Sequence, residues 1–156
     1  MDDSRYNLKL VKAFWRRAKV DLKDARLLLD AGDYAGSAYF AQQSSEKIVK
    51  CVLIINNKFE RTHIVSVIFA EVVETIEDEW KEKLEELIME IRELEEHWIL
   101  PRYPEPLRGD VWNPLDGYKK EDSERAIKKA EIVFDTLTKF MKEIYGVDIN
   151  ENPKKN

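Results

Sequence analysis

The sequence contains only one cysteine among its 156 residues. A single cysteine excludes a disulfide within the chain and any cysteine-rich metal site. Cys51 lies in an apolar run, residues 48–53, where a small buried hydrophobic side chain is the expected role. The sequence therefore gives no indication of thiol or cysteine–metal chemistry.

Helix-breaking residues are scarce in the first hundred positions, which hold no proline and only two glycines, Gly32 and Gly36. Such a stretch permits long helices. The apolar fraction of 44% and the charged fraction of 37% suit amphipathic helices with charged outer faces. The predicted fold is all-α, an antiparallel up-and-down bundle of about five helices in one domain over residues 1–156. We expect a core over residues 7–146 and a frayed tail over 147–156.

Excess positive charge and long apolar runs are also missing. The formal net charge is −5, so the chain has no overall basic character of the kind that duplex DNA binding uses. No stretch reaches about 18 uninterrupted apolar residues, and the chain begins with charged residues, which predicts neither a membrane span nor a signal peptide. We therefore expect a cytoplasmic protein.

Hydrophobic periodicity predicts where the helices lie. The predicted helices cover residues 7–31, 34–56, 62–77, 78–98 and 121–145. Gly32 as a C-terminal residue and Asp33 as an N-cap leave almost no loop between the first two helices, which predicts an antiparallel hairpin. Thr62 is the expected cap of the third helix, and Gly146 should end the last. The pattern leaves open whether the third and fourth helices are continuous.

The second predicted helix mixes small and polar residues along one stripe. Its polar run is Gln42, Gln43, Ser44, Ser45, Glu46 and Lys47. Either Ser45 or Glu46 must turn partly inward, and a buried polar side chain needs a partner. The two hypotheses are a buried network that fixes helix register and a network at a subunit interface.

A long connection, residues 99–118, precedes the last helix and holds four of the five prolines. Loops of this length in a compact bundle are usually functional or disordered, and the aromatic residues here favour an ordered, packed loop. Arg102 and Arg108 could bind phosphate, and Tyr103 could stack on a base. Alternatively, arginine–glutamate pairs hold the loop and Tyr103 packs on the bundle.

Histidine occurs only twice, at His63 and His97. A di-iron bundle requires two Glu-x-x-His motifs. Glu60 stands three residues before His63, but Leu94 occupies the equivalent position before His97. We therefore predict no metal site and no cofactor.

Arg92 stands five residues before His97, and such a pair could cleave RNA without a metal. The histidine would move the proton of the 2′-hydroxyl or leaving group, and the guanidinium would stabilise the phosphorane charge. On a regular helix the two side chains lie about 140° apart, so they converge only through a bent final turn or a second subunit. Alternatively, Arg92 pairs with Glu96 and His97 complements the helix C-terminus.

Several stretches, taken in their order and spacing, resemble the HEPN domain family over most of residues 12–145. They are ARLLL at 25–29, GDY at 32–34, AYFAQQSSEK at 38–47, TH at 62–63, WILPRYP at 98–104 and SERA at 123–126, continuing to Ala130 and Glu131. The resemblance implies a small helical bundle that dimerises and is often partnered with a minimal nucleotidyltransferase in prokaryotic pairs. Some members resemble metal-independent ribonucleases with an arginine four to six residues before a histidine, and others resemble non-catalytic nucleotide- or RNA-binding modules.

Two departures from the ribonuclease motif favour binding over catalysis. Glu93 follows Arg92, where the motif has a polar Asn, Asp or His, and Arg102 has no histidine downstream. The preferred hypothesis is a dimeric module that binds a nucleotide, RNA or a nucleotidyltransferase partner in a crevice. The predicted crevice residues are His63, Arg102, Tyr103 and Arg108. The alternatives are a ribonuclease toxin of a toxin–antitoxin pair, with Arg92 and His97 paired across a dimer, and a pure assembly scaffold.

Overall fold

The helical bundle is built almost entirely from α-helices, as the sequence predicts. The computed structural model describes the backbone of residues 3–149 and the side chains of residues 7–149. Within this range the helices are α1 (Asp3–Asp30), α2 (Tyr34–Ile55), α3 (Ser66–Glu74), α4 (Trp80–Glu95), α5 (Pro114–Gly117) and α6 (Lys120–Tyr145). A 3-10 turn (Glu96–Trp98) extends α4, and strands β1 (Glu105–Leu107) and β2 (Asp110–Trp112) pair as an antiparallel hairpin. No helix in the described range is long and apolar enough to cross a membrane.

The turn between α1 and α2 follows the predicted local signals. Gly32 adopts a φ of 81°, which favours glycine because it has no Cβ. Asp33 Oδ1 accepts a hydrogen bond of 2.9 Å from the Gly36 N–H at the start of α2. The predicted boundary between the first two helices is therefore confirmed.

Helix α2 is the centre of the bundle, and its small residues allow α1 to approach closely. Ser37 Oγ and Ser44 Oγ donate hydrogen bonds of 2.7 Å to the α1 carbonyls of Ala25 and Ala18. These bonds satisfy two buried hydroxyls that would otherwise be costly. Cys51 is also buried, as predicted, and burial raises the pKa of its thiol, which keeps it protonated.

Helices α3 and α4 are separate, and the N-terminus of α3 is capped from a distance. Thr62 accepts only the N–H of Ile64, and the helix begins four residues later than predicted. Glu95 on α4 instead accepts hydrogen bonds of 2.9 and 2.7 Å from the N–H groups of Val65 and Ser66. A carboxylate at a helix N-terminus satisfies free donors and complements the helix dipole. The prediction that Thr62 caps this helix is therefore wrong.

The proline-rich connection is ordered but is not a simple loop, because it contains the β1–β2 hairpin and α5. Arg108 (φ 43°) and Gly109 (φ 83°) form a two-residue turn with positive φ at both positions. The alternation of antiparallel pairing turns the backbone polar groups of Pro106 and Val111 outward. Pro106 has no N–H to offer, and the Val111 N–H is bound by Asp110 Oδ1 at 2.8 Å. Neither edge of the hairpin therefore offers a free outward N–H for strand pairing.

Trp112 fastens the hairpin to the bundle. Its Nε1 donates to the Leu100 carbonyl at 2.9 Å, and its ring lies 6.0 Å from that of Tyr118. The ring also covers Gly117, where an added Cβ would come within 2.2 Å of the indole carbons. Only glycine fits under the ring at this position.

We expect Gly117→Ala to displace the Trp112 ring and to lower the free energy of unfolding by about 1–3 kcal/mol, the usual cost of overpacking. The NMR signal of the Trp112 indole N–H should shift because its bond to Leu100 is broken. Asp116→Ala, at an exposed neighbouring position, is the control and should leave that signal in place. An unchanged indole signal in Gly117→Ala would contradict the assigned packing.

Gly146, with a φ of 64°, ends α6 as predicted. The chain then turns back onto the core, where the Val147 N–H bonds the Met141 carbonyl at 3.2 Å and Ile149 is buried. Residues 147–149 are therefore packed rather than frayed. The remainder of the predicted tail, residues 150–156, lies outside the described residues.

Candidate functional site

The polar run of α2 forms a buried hydrogen-bond network within one chain. We call Gln42, Gln43, Glu46, Lys47 and Lys50 the polar stripe. Lys47 Nζ contacts Asp21 on α1 and also donates to Gln43 Oε1 at 3.2 Å. The Gln43 amide donates to Gln42 Oε1 at 2.7 Å, and the Gln42 amide reaches Glu46 Oε1 at 3.4 Å. The structure shows a buried network that joins two helices within one chain, as the first hypothesis expected.

Glu46 connects this buried network to the half-exposed side chain of His63. Its side chain is only 4% exposed, yet it lies 3.3 Å from Lys50 Nζ and 2.8 Å from His63 Nδ1. A buried carboxylate requires such partners, because leaving it unpaired would cost several kcal/mol. Glu46 thereby fixes the position of the His63 ring.

An arginine and four rings gather beside Glu46, and we call them the cation–aromatic cluster. Its members are Tyr39, His63, Trp98, Arg102 and Tyr103. The ring of His63 stacks on that of Trp98 at 4.4 Å and 20°. The Arg102 guanidinium carbon lies 5.2 Å from the ring centres of Tyr39 and Trp98 and 5.4 Å from that of Tyr103. Arg102 Nε donates to the Trp98 carbonyl at 2.6 Å.

The cluster is open to solvent. The side chain of His63 is 48% exposed and Tyr103 is 57% exposed. Arg102 is exposed and, within residues 7–149, forms no ion pair with a carboxylate. Within the described residues its charge is therefore not neutralised by a carboxylate. The structure therefore differs from the alternative interpretation, in which arginine–glutamate pairs hold the loop and Tyr103 packs on the bundle.

Three of the four predicted crevice residues meet in the cluster: His63, Arg102 and Tyr103. Arg108 is placed apart, at the tip of the β1–β2 hairpin, where it contacts none of the other three. Sequence reasoning missed Tyr39 and Trp98 as site residues. Tyr39 belongs to the AYFAQQSSEK stretch, and Trp98 belongs to the WILPRYP stretch. Their position in these family-like stretches was the signal that could have identified them.

His97, the neighbour of Trp98 in the 3-10 turn, faces the other side of the bundle. Its Nδ1 lies 2.8 Å from the hydroxyl of Tyr118. Burial is the main cause that lowers the pKa of His97, and burial likewise raises that of Tyr118. At neutral pH the imidazole is therefore uncharged. Burial therefore disfavours the charged form of His97 that the alternative interpretation places at the helix C-terminus.

A cleft of about 370 Å³ lies beside His97, between the end of α4 and the start of α6. We call it the α6 cleft, and its lining is Glu93, Glu96, His97, Asp122, Arg125, Ala126 and Lys129. Lys129 bridges Glu90 and Glu93, and its hydrogen bonds to these carboxylates raise the pKa of its ammonium group. The cleft therefore combines a neutral imidazole with groups of both charges.

Arg92 is exposed on α4 and does not line the α6 cleft. Arg92 and Glu96, both within the described residues, do not form the ion pair that the alternative interpretation expects. The structure therefore gives His97 a pocket, but it does not bring Arg92 to that pocket within one protomer. Among the described residues, no group of three or more His, Cys, Asp or Glu side chains could hold a metal ion.

Fold and site together define a small all-α bundle with a cation–aromatic surface on one side of a 3-10 turn and a histidine cleft on the other. Comparison with known proteins identifies the family to which this bundle belongs. The HEPN domain model matches residues 11–142, and the chain belongs to the HEPN domain family.

A relative from Methanocaldococcus jannaschii is 50% identical over 149 residues, which cover 94% of this chain and 98% of the relative. That protein is named "Putative toxin MJ1304". Two solved structures share the fold. TT1696 from Thermus thermophilus has a TM-score of 0.69 at 21% identity, covering 83% of this chain and 96% of its own. ST0689, described as an archaeal HEPN homologue, has a TM-score of 0.65 at 22% identity, with coverages of 85% and 98%.

Proposed function

We propose that this HEPN protein binds a nucleotide or single-stranded RNA through the cation–aromatic cluster. The observation that carries the proposal is the arrangement of Arg102, a guanidinium that contacts three rings and has no carboxylate partner in the described chain. A guanidinium can bind phosphate in a bidentate manner while neighbouring rings stack on bases. The net charge of −5 favours such a local contact over a broad basic surface for duplex DNA.

Arg102→Ala is expected to weaken binding of nucleotides or short RNAs by about 5-fold to 150-fold, the effect of losing about 1–3 kcal/mol of charge-assisted contact. Binding is measured by titration and by the rise in melting temperature that a ligand of the folded state produces. Arg16→Ala, at an exposed position on α1, is the matched control. If a panel of nucleotides and short RNAs gave no thermal shift, and Arg102→Ala changed no affinity, the ligand proposal would be wrong.

Family membership supports two partners, a second copy of this chain and a minimal nucleotidyltransferase. Light scattering of the purified protein tests the homodimer, and co-purification tests the nucleotidyltransferase. Assembly without any nucleotide or RNA binding would instead support the scaffold alternative. A nucleotide or RNA ligand is consistent with a cytoplasmic location for this protein.

A second candidate function is metal-independent RNA cleavage, as in a ribonuclease toxin. The observation that favours it is His97, a neutral imidazole at the α6 cleft whose Nδ1 is held by Tyr118. In the neutral tautomer whose Nδ1–H donates to the Tyr118 hydroxyl, Nε2 carries no hydrogen and can accept a proton. The name of the Methanocaldococcus relative is consistent with this activity.

In this reaction His97 Nε2 takes the proton of a ribose 2′-hydroxyl. The 2′-oxygen then attacks the adjacent phosphorus, and the bond from phosphorus to the 5′-oxygen breaks. The products are a 2′,3′-cyclic phosphate and a 5′-hydroxyl, which receives the proton back from the imidazolium. This reaction is balanced in atoms and charge without a metal, an oxidant or a cofactor.

A further inference from the structure

We propose that the solvent-facing side of α1 binds the phosphate backbone of single-stranded RNA, independently of its sequence. The surface is a row of basic side chains that we call the α1 basic row. Its members follow one another at alternating intervals of three and four residues: Lys9, Lys12, Arg16, Lys19, Lys23 and Arg26. Side chains at such intervals lie on one face of a helix. This surface is different from the cation–aromatic cluster and goes beyond the function proposed for that cluster.

The α1 basic row lies beside the buried face of its helix and is open to solvent. The residues of α1 that pack in the core are Val11, Trp15, Ala18, Leu22 and Ala25. Every member of the row except Lys9 directly follows one of them and is therefore turned about 100° away from the core. Lys12 is partly buried, and the other members are exposed. At a rise of about 1.5 Å per residue, the row is about 26 Å long.

Most charges of the row are not neutralised within the described chain. Arg26 pairs with Glu131 on α6 at 2.8 Å, but the other members form no ion pair with a described carboxylate. Lys19 Nζ lies 5.3 Å from the ring centre of Trp15, a contact that does not neutralise its charge. Like charges three or four residues apart repel one another and weaken a helix. The row therefore has a structural cost that an anionic partner would offset.

The acidic residues in this part of α1 do not interrupt the row. Asp21 is buried on the side that faces α2, where it pairs with Arg17 and Lys47. Asp24 follows Lys23 and lies about 100° from it around the helix. Because the net charge of the whole chain is −5, the row is a local basic surface on an acidic protein. A polyanion is the partner with complementary charge.

The composition of the row favours a nucleic-acid backbone over an acidic protein or a membrane. Protein interfaces have aromatic and apolar residues at their centre and are depleted in lysine, whereas this row consists of lysine and arginine alone. A helix that lies on a membrane buries its apolar face in lipid, but the apolar face of α1 is packed in the core. A single RNA strand offers one line of phosphates to one line of cations. The row has no aromatic side chain on which a base could stack, so the contact does not depend on sequence.

The row and the cation–aromatic cluster lie on different sides of α2. Ser37 and Ser44 face α1, whereas Tyr39, which contacts Arg102, lies about 200° from Ser37 around α2. Packed helices are about 8–10 Å apart, so a single nucleotide at the cluster does not reach the row. Arg16→Ala is therefore still a valid control for nucleotide binding at the cluster. The two surfaces can be tested independently.

The salt dependence of RNA binding by the full chain tests the proposal. The probe is a 2′-O-methyl oligouridylate of about 12 nucleotides, which is longer than the row because stacked phosphates are about 3.4 Å apart along a strand. Each phosphate contact with a single strand adds about −0.7 to the slope of log affinity against log salt concentration. The triple variant Lys12→Gln, Lys19→Gln, Lys23→Gln should therefore lower the steepness by about 2 and weaken binding about 100-fold at about 0.1 M salt. The same three changes to arginine keep the charge and should keep the slope.

A second triple variant, Lys58→Gln, Lys81→Gln, Lys83→Gln, removes the same charge from other surfaces and should keep the slope of the wild type. Equal slopes in the wild type and the first variant, equal losses in both glutamine variants, or no RNA binding by the wild type would overturn the proposal. Vesicles of phosphatidylserine and phosphatidylcholine provide the other comparison. If they bound the wild type but not the first variant while RNA binding was unchanged, the row would be a membrane surface and the proposal would be wrong. Loss of nucleotide binding at the cluster alone would remove only the proposed function.

Discussion

Replacing His97 with alanine is expected to lower metal-independent RNA cleavage by about 10²–10⁴-fold, the usual contribution of a general acid–base group. The loss follows because Tyr118 and burial hold a neutral imidazole at the α6 cleft, and no other histidine lines that cleft. Cleavage is measured at saturating RNA in EDTA, so that the rate reports chemistry rather than binding. Undiminished cleavage in His97→Ala would sink the ribonuclease assignment.

His63→Ala is the matched control, because it removes the only other histidine. His63 belongs to the cation–aromatic cluster, where it stacks on Trp98. Its loss should raise KM through weaker base stacking and leave kcat nearly unchanged. If kcat fell in His63→Ala and not in His97→Ala, His63 rather than His97 would be the general acid–base group.

Glu46→Ala is expected to lower the free energy of unfolding by about 3–5 kcal/mol, because removal of one partner leaves a buried charge uncompensated. The remaining charge is Lys50, whose side chain is 10% exposed and whose ammonium group, among the described residues, has only the ring of Phe59, 5.9 Å away, as a further electrostatic partner. Denaturant unfolding measures the change. The same variant should free the His63 ring and weaken ligand binding at the cluster.

Two comparisons make the Glu46 result specific. Combining Glu46→Ala with Lys50→Met should recover much of the stability, since the second change removes the unpaired charge. Glu71→Ala breaks an exposed pair with Lys58, 3.7 Å long, and should cost no more than about 1 kcal/mol. A Glu46→Ala variant as stable as Glu71→Ala would show that Lys50 reaches solvent without cost.

Local signals in the sequence were enough to place the four long helices α1, α2, α4 and α6. The α1–α2 turn depends on Gly32 and Asp33, which act on their own neighbours and are therefore visible in the sequence. The start of α3 was misplaced because its cap is Glu95, about thirty residues away along the chain. The hairpin was missed because its turn begins with Arg108 rather than the asparagine or aspartate that usually signals such turns.

The same distinction applies to the site. His63, Arg102 and Tyr103 could be predicted because they belong to stretches that resemble the family. The burial of His97 could not, because its partner Tyr118 is 21 residues away and the cleft is closed by α6.

The closed edges of the β1–β2 hairpin have a consequence for how the protein associates. With proline at Pro106 and Asp110 covering the Val111 N–H, the hairpin cannot recruit a further strand through its backbone donors. A partner that meets this part of the surface must recognise side chains such as Leu107 and Val111, which are 53% and 62% exposed. Side-chain contacts of this kind do not propagate from one copy to the next as pairing at an open sheet edge does.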